Sequence, residues 1–216
     1  ARTRVLLIVI IVFLIWSSRE DFTQESEPSI YILTRTSGRP TFFNNCRNSL
    51  KKQKFRNWVH LISTDDEESY EYASRDKDRA TVVKVNKIQK DKHNNCPYNL
   101  YLNKLIELVP NGAWIIFLDD DGIMTTPNSL DDLSVSIKNA ETAKKDMVLS
   151  KITYGPKKYT TEPRFWGKSM KEIRDLIKND WWSCRIDTAM LAIKKGPNMQ
   201  LWESQCAGDV RFLNNN

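Results

Sequence analysis

The chain is poor in the features that usually announce a function. It has no long block of basic residues and no recognisable nucleic-acid motif, so its formal net charge of +6 reads as diffuse. Such a balance suits polyanionic partners, such as nucleotide phosphates or an acidic membrane surface, and gives no support to nucleic-acid binding. The four cysteines, Cys46, Cys96, Cys184 and Cys206, form no C-x-x-C pair and match no zinc spacing. They read as free thiols buried in a core; a disulfide would require an exported domain. No N-x-S/T acceptor occurs, which weighs against export. Internal repeats are absent, and no apolar run reaches the roughly 20 residues of a standard spanning helix.

What is present fits a soluble body. The 216 residues are 40% hydrophobic and 28% charged, enough for one α/β domain with a sizeable core. The N-terminus stands apart. Arg2 and Arg4 precede an unbroken apolar run from Val5 to Trp16. The run could be a signal-peptide core, a short anchor or a buried element. No small-residue cleavage site follows Trp16, which favours an uncleaved signal anchor over residues 1–16. The two arginines would keep its N-terminus in the cytoplasm, and residues 5–16 would contact a membrane. Without insertion the chain is expected in the cytoplasm. Residues 17–29, rich in Ser and Glu, read as a flexible stem.

From Ile30 onward apolar runs alternate with amphipathic segments. Strands are expected at Ile30–Thr34, Trp58–Ser63, Thr81–Val85, Trp114–Leu118 and Met147–Ser150. Helices are expected from Pro40 to about Lys52, from Asn99 to Val109 and from Pro127 onward. Asp66 to Glu68 suit a helix N-terminus. This is βαβαβ order, which predicts a mostly parallel sheet with right-handed crossovers.

The segment with most chemistry is Trp114-Ile115-Ile116-Phe117-Leu118-Asp119-Asp120-Asp121-Gly122. A buried strand of a parallel sheet ends abruptly in three carboxylates. Ligands of open α/β sheets bind beyond the carboxyl ends of the strands. Adjacent carboxylates repel, and a hard divalent cation removes that penalty. A metal site holding a phosphate-bearing ligand is therefore expected. An acidic loop or helix N-terminus is the plainer alternative.

The whole pattern resembles a family-2-like GT-A glycosyltransferase, in the compact form found in some large DNA viruses and polysaccharide pathways. The resemblance rests on four places: Thr34-Arg35-Thr36-Ser37-Gly38-Arg39-Pro40, Ser63-Thr64-Asp65-Asp66, the D-x-D segment Phe117 to Asp121, and Ala207-Gly208-Asp209-Val210. It implies a GT-A (Rossmann-like) single domain over residues 30–213, helices flanking a mostly parallel sheet, and a tail or linker start at 214–216. By the same resemblance Thr34, Arg35 and Asp65 line the nucleotide pocket, and Asn99 and Asn103 face the donor. Asp119 and Asp120 contact ribose or the metal shell, and Asp121, with Asp119, holds Mn²⁺ or Mg²⁺. Asp209 is the general base. Trp166, Trp181, Trp182 and Asp187 belong to the acceptor site, and Arg185 or Lys158 could hold phosphate. The implied partners are a nucleotide-sugar donor, a UDP-sugar by family habit, and a hydroxyl of a glycan or glycoprotein. The implied reaction moves a hexose or deoxyhexose, with inversion.

Departures and rivals are equally visible. Many relatives carry a late His or carboxylate as a further metal ligand, whereas His60 and His93, the two histidines, both precede the D-x-D. His60 lies in a strand and reads as a core residue; His93 lies in a polar loop that could approach the diphosphate. Asp119-Asp120-Asp121-Gly122 also fits a haloacid-dehalogenase-type phosphatase, with Asp119 as nucleophile and Asp121 as acid/base. That motif should end the first strand of the fold, yet three strands are expected before it. A nucleotidyltransferase and a non-catalytic carbohydrate-binding protein complete the alternatives.

Overall fold

The computed structural model describes residues 29–89, 97–150 and 191–202. Six strands, β1 (Ile30–Arg35), β2 (Trp58–Thr64), β3 (Ala80–Lys84), β4 (Trp114–Phe117), β5 (Met147–Leu149) and β6 (Leu191–Lys194), form one sheet in the order β3-β2-β1-β4-β6-β5. The first four are parallel, and β6 runs antiparallel to both β4 and β5. Four described helices accompany them: α1 (Pro40–Lys51), α2 (Glu67–Ser74), α3 (Tyr98–Leu108) and α4 (Ser129–Thr142). The expected strands and helices appear within a residue or two of their predicted bounds. The mostly parallel α/β sheet is thus the observed architecture. Only β6 has no counterpart in the sequence reading. Its antiparallel insertion between β4 and β5 is a matter of tertiary pairing.

Side-chain alternation along the strands builds a core on each face. On one face Leu33, Ile115 and Phe117 pack with Leu102, Leu105 and Ile106 of α3. On the other, Ile30, Ile32, Trp114 and Ile116 pack with Cys46 and Leu50 of α1 and Leu130 and Ile137 of α4. Phe43, Ile62, Tyr72 and Ala73 close the α1–α2 corner. Burial on both faces is why β1 and β4 read as continuous apolar runs. Cys46 is a free, fully buried thiol, and burial pushes its pKa up to about 12. Among the described residues no helix is long and apolar enough to cross a membrane. The proposed anchor at residues 1–16, most of the stem, His93, Cys96, Cys184 and Cys206 lie outside the described residues.

Candidate functional site

The carboxyl ends of β1, β2 and β4 meet the start of α3 around a cleft of about 290 Å³. Its walls are Arg35, Thr36, Ser37 and Arg39 after β1, Ser63 to Asp65 at the end of β2, Tyr98 and Tyr101 on α3, and Asp119 and Asp120 after β4. The acidic turn ends the fourth strand of the fold, which is not where the phosphatase motif belongs.

The β1 loop is fixed by local geometry. Gly38 takes a left-handed φ of +64°, which only glycine adopts without strain, and its N–H donates to Ser69 Oγ at 2.9 Å. Pro40 opens α1, as its locked φ favours. Arg39 is thereby held at the helix mouth. Beneath this loop runs a buried hydrogen-bonded chain. Arg47 Nη1 lies 3.2 Å from His60 Nδ1, and His60 Nε2 lies 2.7 Å from Thr34 Oγ1. Thr34 Oγ1 donates to Leu118 O at 2.6 Å. A guanidinium can only donate, so Nδ1 accepts and Nε2 carries the proton. Burial, then the charge of Arg47, hold the His60 pKa well below the ordinary 6.5. The chain ties the end of β4, one residue before Asp119, to β1 and β2.

The three carboxylates have different surroundings. Asp120 is buried, with Oδ2 accepting from Thr36 Oγ1 at 2.9 Å and from Arg39 Nε at 3.1 Å. Its Oδ1 accepts from Arg39 Nη2. The same Nη2 lies 3.2 Å from Asp121 Oδ2. These contacts, the Asp120 hydrogen bond first, raise the Arg39 pKa further above its ordinary value. Asp119 is exposed and lies 3.5 Å from Arg35 Nη2, whose guanidinium sits 4.4 Å over the Tyr98 ring. A hydrogen bond from Gly122 N to Asp119 O at 2.8 Å closes the turn.

At the β2 end, Asp66 caps α2, accepting from Ser69 N and Ser69 Oγ, each at 2.7 Å. Those bonds, the Ser69 hydroxyl first, lower its pKa. Asp65 faces the cleft instead, with Oδ2 accepting from Tyr101 OH at 3.2 Å. Asp65 Oδ1, Ser63 Oγ and Thr64 Oγ1 are buried without a hydrogen-bond partner. Unsatisfied buried polar atoms are rare, and several in one cleft suit a ligand.

The structure brings Arg35, Asp65, Asp119 and Asp120 together around the cleft. Thr34 lies under the cleft, its hydroxyl committed to Leu118 and His60. Asn99 is buried on α3. Asn103 clasps the backbone of Trp202, donating to its carbonyl at 3.0 Å and accepting from its N–H at 2.8 Å. Thr34, Asn99 and Asn103 do not line the cleft. Asp121 is exposed beside Arg39 and, like those three, is not part of the cleft lining. Asp209, Trp166, Trp181, Trp182, Asp187, Arg185 and Lys158 lie outside the described residues. Sequence reasoning did not single out Arg39, Thr36, Ser63, Thr64, Tyr98 or Tyr101 for roles. The one available signal was the pair of arginines in the loop that precedes α1, since three adjacent acids require counter-charge.

Among the described residues no group of three or more His, Cys, Asp and Glu side chains is arranged to hold a metal ion. The turn nonetheless offers hard oxygen donors on two exposed side chains, Asp119 and Asp121. Mg²⁺ and Mn²⁺ suit one or two carboxylates, with phosphate oxygens and water completing the shell. The donor set fits such an ion once Arg35 and Arg39 yield those two carboxylates.

No family model and no curated protein sequence matches this chain. Solved structures do. Residues 1–349 of S. aureus TarS match with a TM-score of 0.65 and 14% identity, over 86% of this chain and 54% of that one. The same protein in complex with UDP gives the same values. The mannosyltransferase PcManGT from Pyrobaculum calidifontis, in complex with GDP-Man and Mn²⁺, matches with a TM-score of 0.53 and 10% identity, over 85% of this chain and 50% of that one. The fold is GT-A. At these identities the likeness concerns the fold alone, and the chain spans about half the length of these structures.

Proposed function

We propose that this chain is a metal-dependent glycosyltransferase that moves a hexose or deoxyhexose from a nucleoside-diphosphate sugar to an acceptor hydroxyl. The observation that carries the reading is the cleft itself. On a GT-A fold, one crevice joins an acidic turn with two exposed carboxylates to the polar β2 end, where buried acceptors lack partners. That TarS was solved with UDP and PcManGT with GDP-Man and Mn²⁺ supports a nucleotide ligand and a divalent ion. UDP is the preferred nucleotide.

Asp65, Ser63 and Thr64 would receive the base and ribose, and Arg35 on Tyr98 would border them. Asp119 and Asp121 would hold Mn²⁺ or Mg²⁺, which when bound neutralises charge on the leaving diphosphate. Asp209 would take the proton from the acceptor hydroxyl. The acceptor oxygen then bonds the anomeric carbon as the bond to the diphosphate oxygen breaks, and the nucleoside diphosphate departs with the electron pair. One displacement inverts the anomeric centre. Trp166, Trp181, Trp182 and Asp187 would form the acceptor side, with aromatic faces against the sugar ring. The acceptor would be a glycan or glycoprotein, and a membrane contact through residues 5–16 would place the enzyme near it.

Release of nucleoside diphosphate from a panel of nucleotide sugars, with Mn²⁺ or with EDTA, tests the reading. Metal-dependent release from one donor is expected. Asp121→Ala should lose metal-dependent donor binding, and Asp209→Asn should keep donor binding but lose transfer. Wild-type transfer by Asp209→Asn would remove Asp209 as the base. Turnover of a generic phosphomonoester without sugar-nucleotide cleavage would replace the transferase with the phosphatase.

A further inference from the structure

One guanidinium serves two carboxylates of unequal standing. Arg39 grips Asp120 through both Nε and Nη2, and the Asp120 side chain is only 4% exposed. The contact with Asp121 uses Nη2 alone, at 3.2 Å, and the Asp121 side chain is 52% exposed. The first is forked and buried on the carboxylate side, and the second is a single contact between two solvated groups, so the second is the easier to break. Thr36 Oγ1 adds a third bond to Asp120, so both oxygens of that carboxylate are engaged within the protein. A ligand is expected at this place on separate grounds, because Ser63 and Thr64, residues of the same cleft wall, carry buried hydroxyls without partners.

We propose that Arg39 is a built-in counter-ion of the acidic turn. It holds Asp120 throughout and yields Asp121 to an arriving divalent cation. Arg39 and the cation compete for one carboxylate, so the free protein binds the cation weakly. Once displaced from Asp121, the outer edge of the guanidinium can turn to an anionic oxygen. A diphosphate bound beside the cation restores the lost pairing. Cation and nucleoside diphosphate therefore strengthen each other's binding, and Arg39 carries part of that coupling, which linkage makes reciprocal. Asp120 is on this account a positioning residue, not a ligand of metal or ribose. The inference rests on the reading of the cleft as a metal–diphosphate site.

The test is a Mn²⁺ titration of the full 216-residue chain, following free Mn²⁺ by electron paramagnetic resonance, with and without UDP. Arg39→Gln alone would strand a buried carboxylate, so the main variant is Arg39→Gln with Asp120→Asn, which removes both partners. It should bind Mn²⁺ alone roughly two- to fivefold more tightly than the parent, the worth of one exposed ion pair. UDP should then improve its Mn²⁺ affinity less than it does for the parent. Adding Asp121→Asn should abolish the gain. Arg39→Lys keeps the charge but lacks the planar fork that spans two carboxylates. It should fall between parent and double variant, and it decides the matter should the double variant not fold. If the parent binds Mn²⁺ with UDP and neither variant binds Mn²⁺ alone more tightly, the exchange is wrong and the site reading stands. If the parent binds Mn²⁺ neither alone nor with UDP, the metal–diphosphate reading falls, and the exchange with it.

Discussion

At His60 the protein buries an imidazole with both ring nitrogens engaged, by Arg47 and by Thr34. Burial first, and then the neighbouring guanidinium, keep it neutral. The sign of the pH effect follows. Below its ordinary pKa of 6.5 the unfolded chain takes up a proton that the folded chain refuses. The stability due to neutral His60 is complete above that pH and declines as the pH falls, by at most about 1.4 kcal/mol per pH unit. Urea unfolding of the parent and of His60→Gln, compared between about pH 5 and pH 7, checks this. The variant should lose part of the pH dependence, and parallel curves would disprove the assignment. The position of His60 in a strand was enough to read it as a core residue. Its partners were not legible, because Thr34, Arg47 and Leu118 meet it only through strand pairing and the packing of α1.

The element that matters most is the turn after β4. Its sequence announced it, since an apolar run can end in three acids only where the sheet meets solvent. Its internal arrangement was not announced. Gly122 packs so closely that an added Cβ would lie 2.7 Å from Leu118 Cδ1 and 3.0 Å from Asp119 O. Gly122→Ala should force Leu118 or the turn to move, at about 1–3 kcal/mol of overpacking cost. We expect lower stability and, more tellingly, weaker Mn²⁺-dependent UDP binding than an equally destabilised core variant such as Ile137→Val. Unchanged UDP binding would show that the turn absorbs the methyl without displacing its carboxylates. At the β2 end the acidic run Asp65 to Glu68 offered several candidates for one role. The structure divides them by secondary structure: Asp66 caps α2 and Asp65 faces the cleft. A cap is legible from sequence once the helix start is known, but the helix start and the strand end had to be located together.

For the whole molecule the decisive long-range contact joins α3 to the segment after β6. Asn103 and Trp202 exchange two hydrogen bonds across 99 positions. The Trp202 ring packs edge-on against Phe117 of β4 at 5.4 Å. This clasp lays the segment over the face that α3 covers, beside the strand that carries the acidic turn. Asn103→Ala should remove both bonds to the Trp202 backbone and cost about 1–3 kcal/mol. Amide hydrogen exchange at Trp202 should accelerate far more than at Ile115 in the centre of β4. Equal changes at both would mean global destabilisation and no local clasp.

The sequence by itself determined which segments become strands and helices up to β5, that the sheet is mostly parallel, and that carboxylates end a central strand. These follow from hydrophobic period, turn residues and chain order, all of them local quantities. Only the tertiary structure decided that β6 enters antiparallel between β4 and β5. Likewise it decided that Asn103 serves Trp202, that Thr34 serves β4, and that Arg39 divides itself between Asp120 and Asp121. Each of these pairs residues far apart in the chain. A polar side chain's role is set by whichever partner burial brings within about 3 Å, and no local pattern encodes that partner.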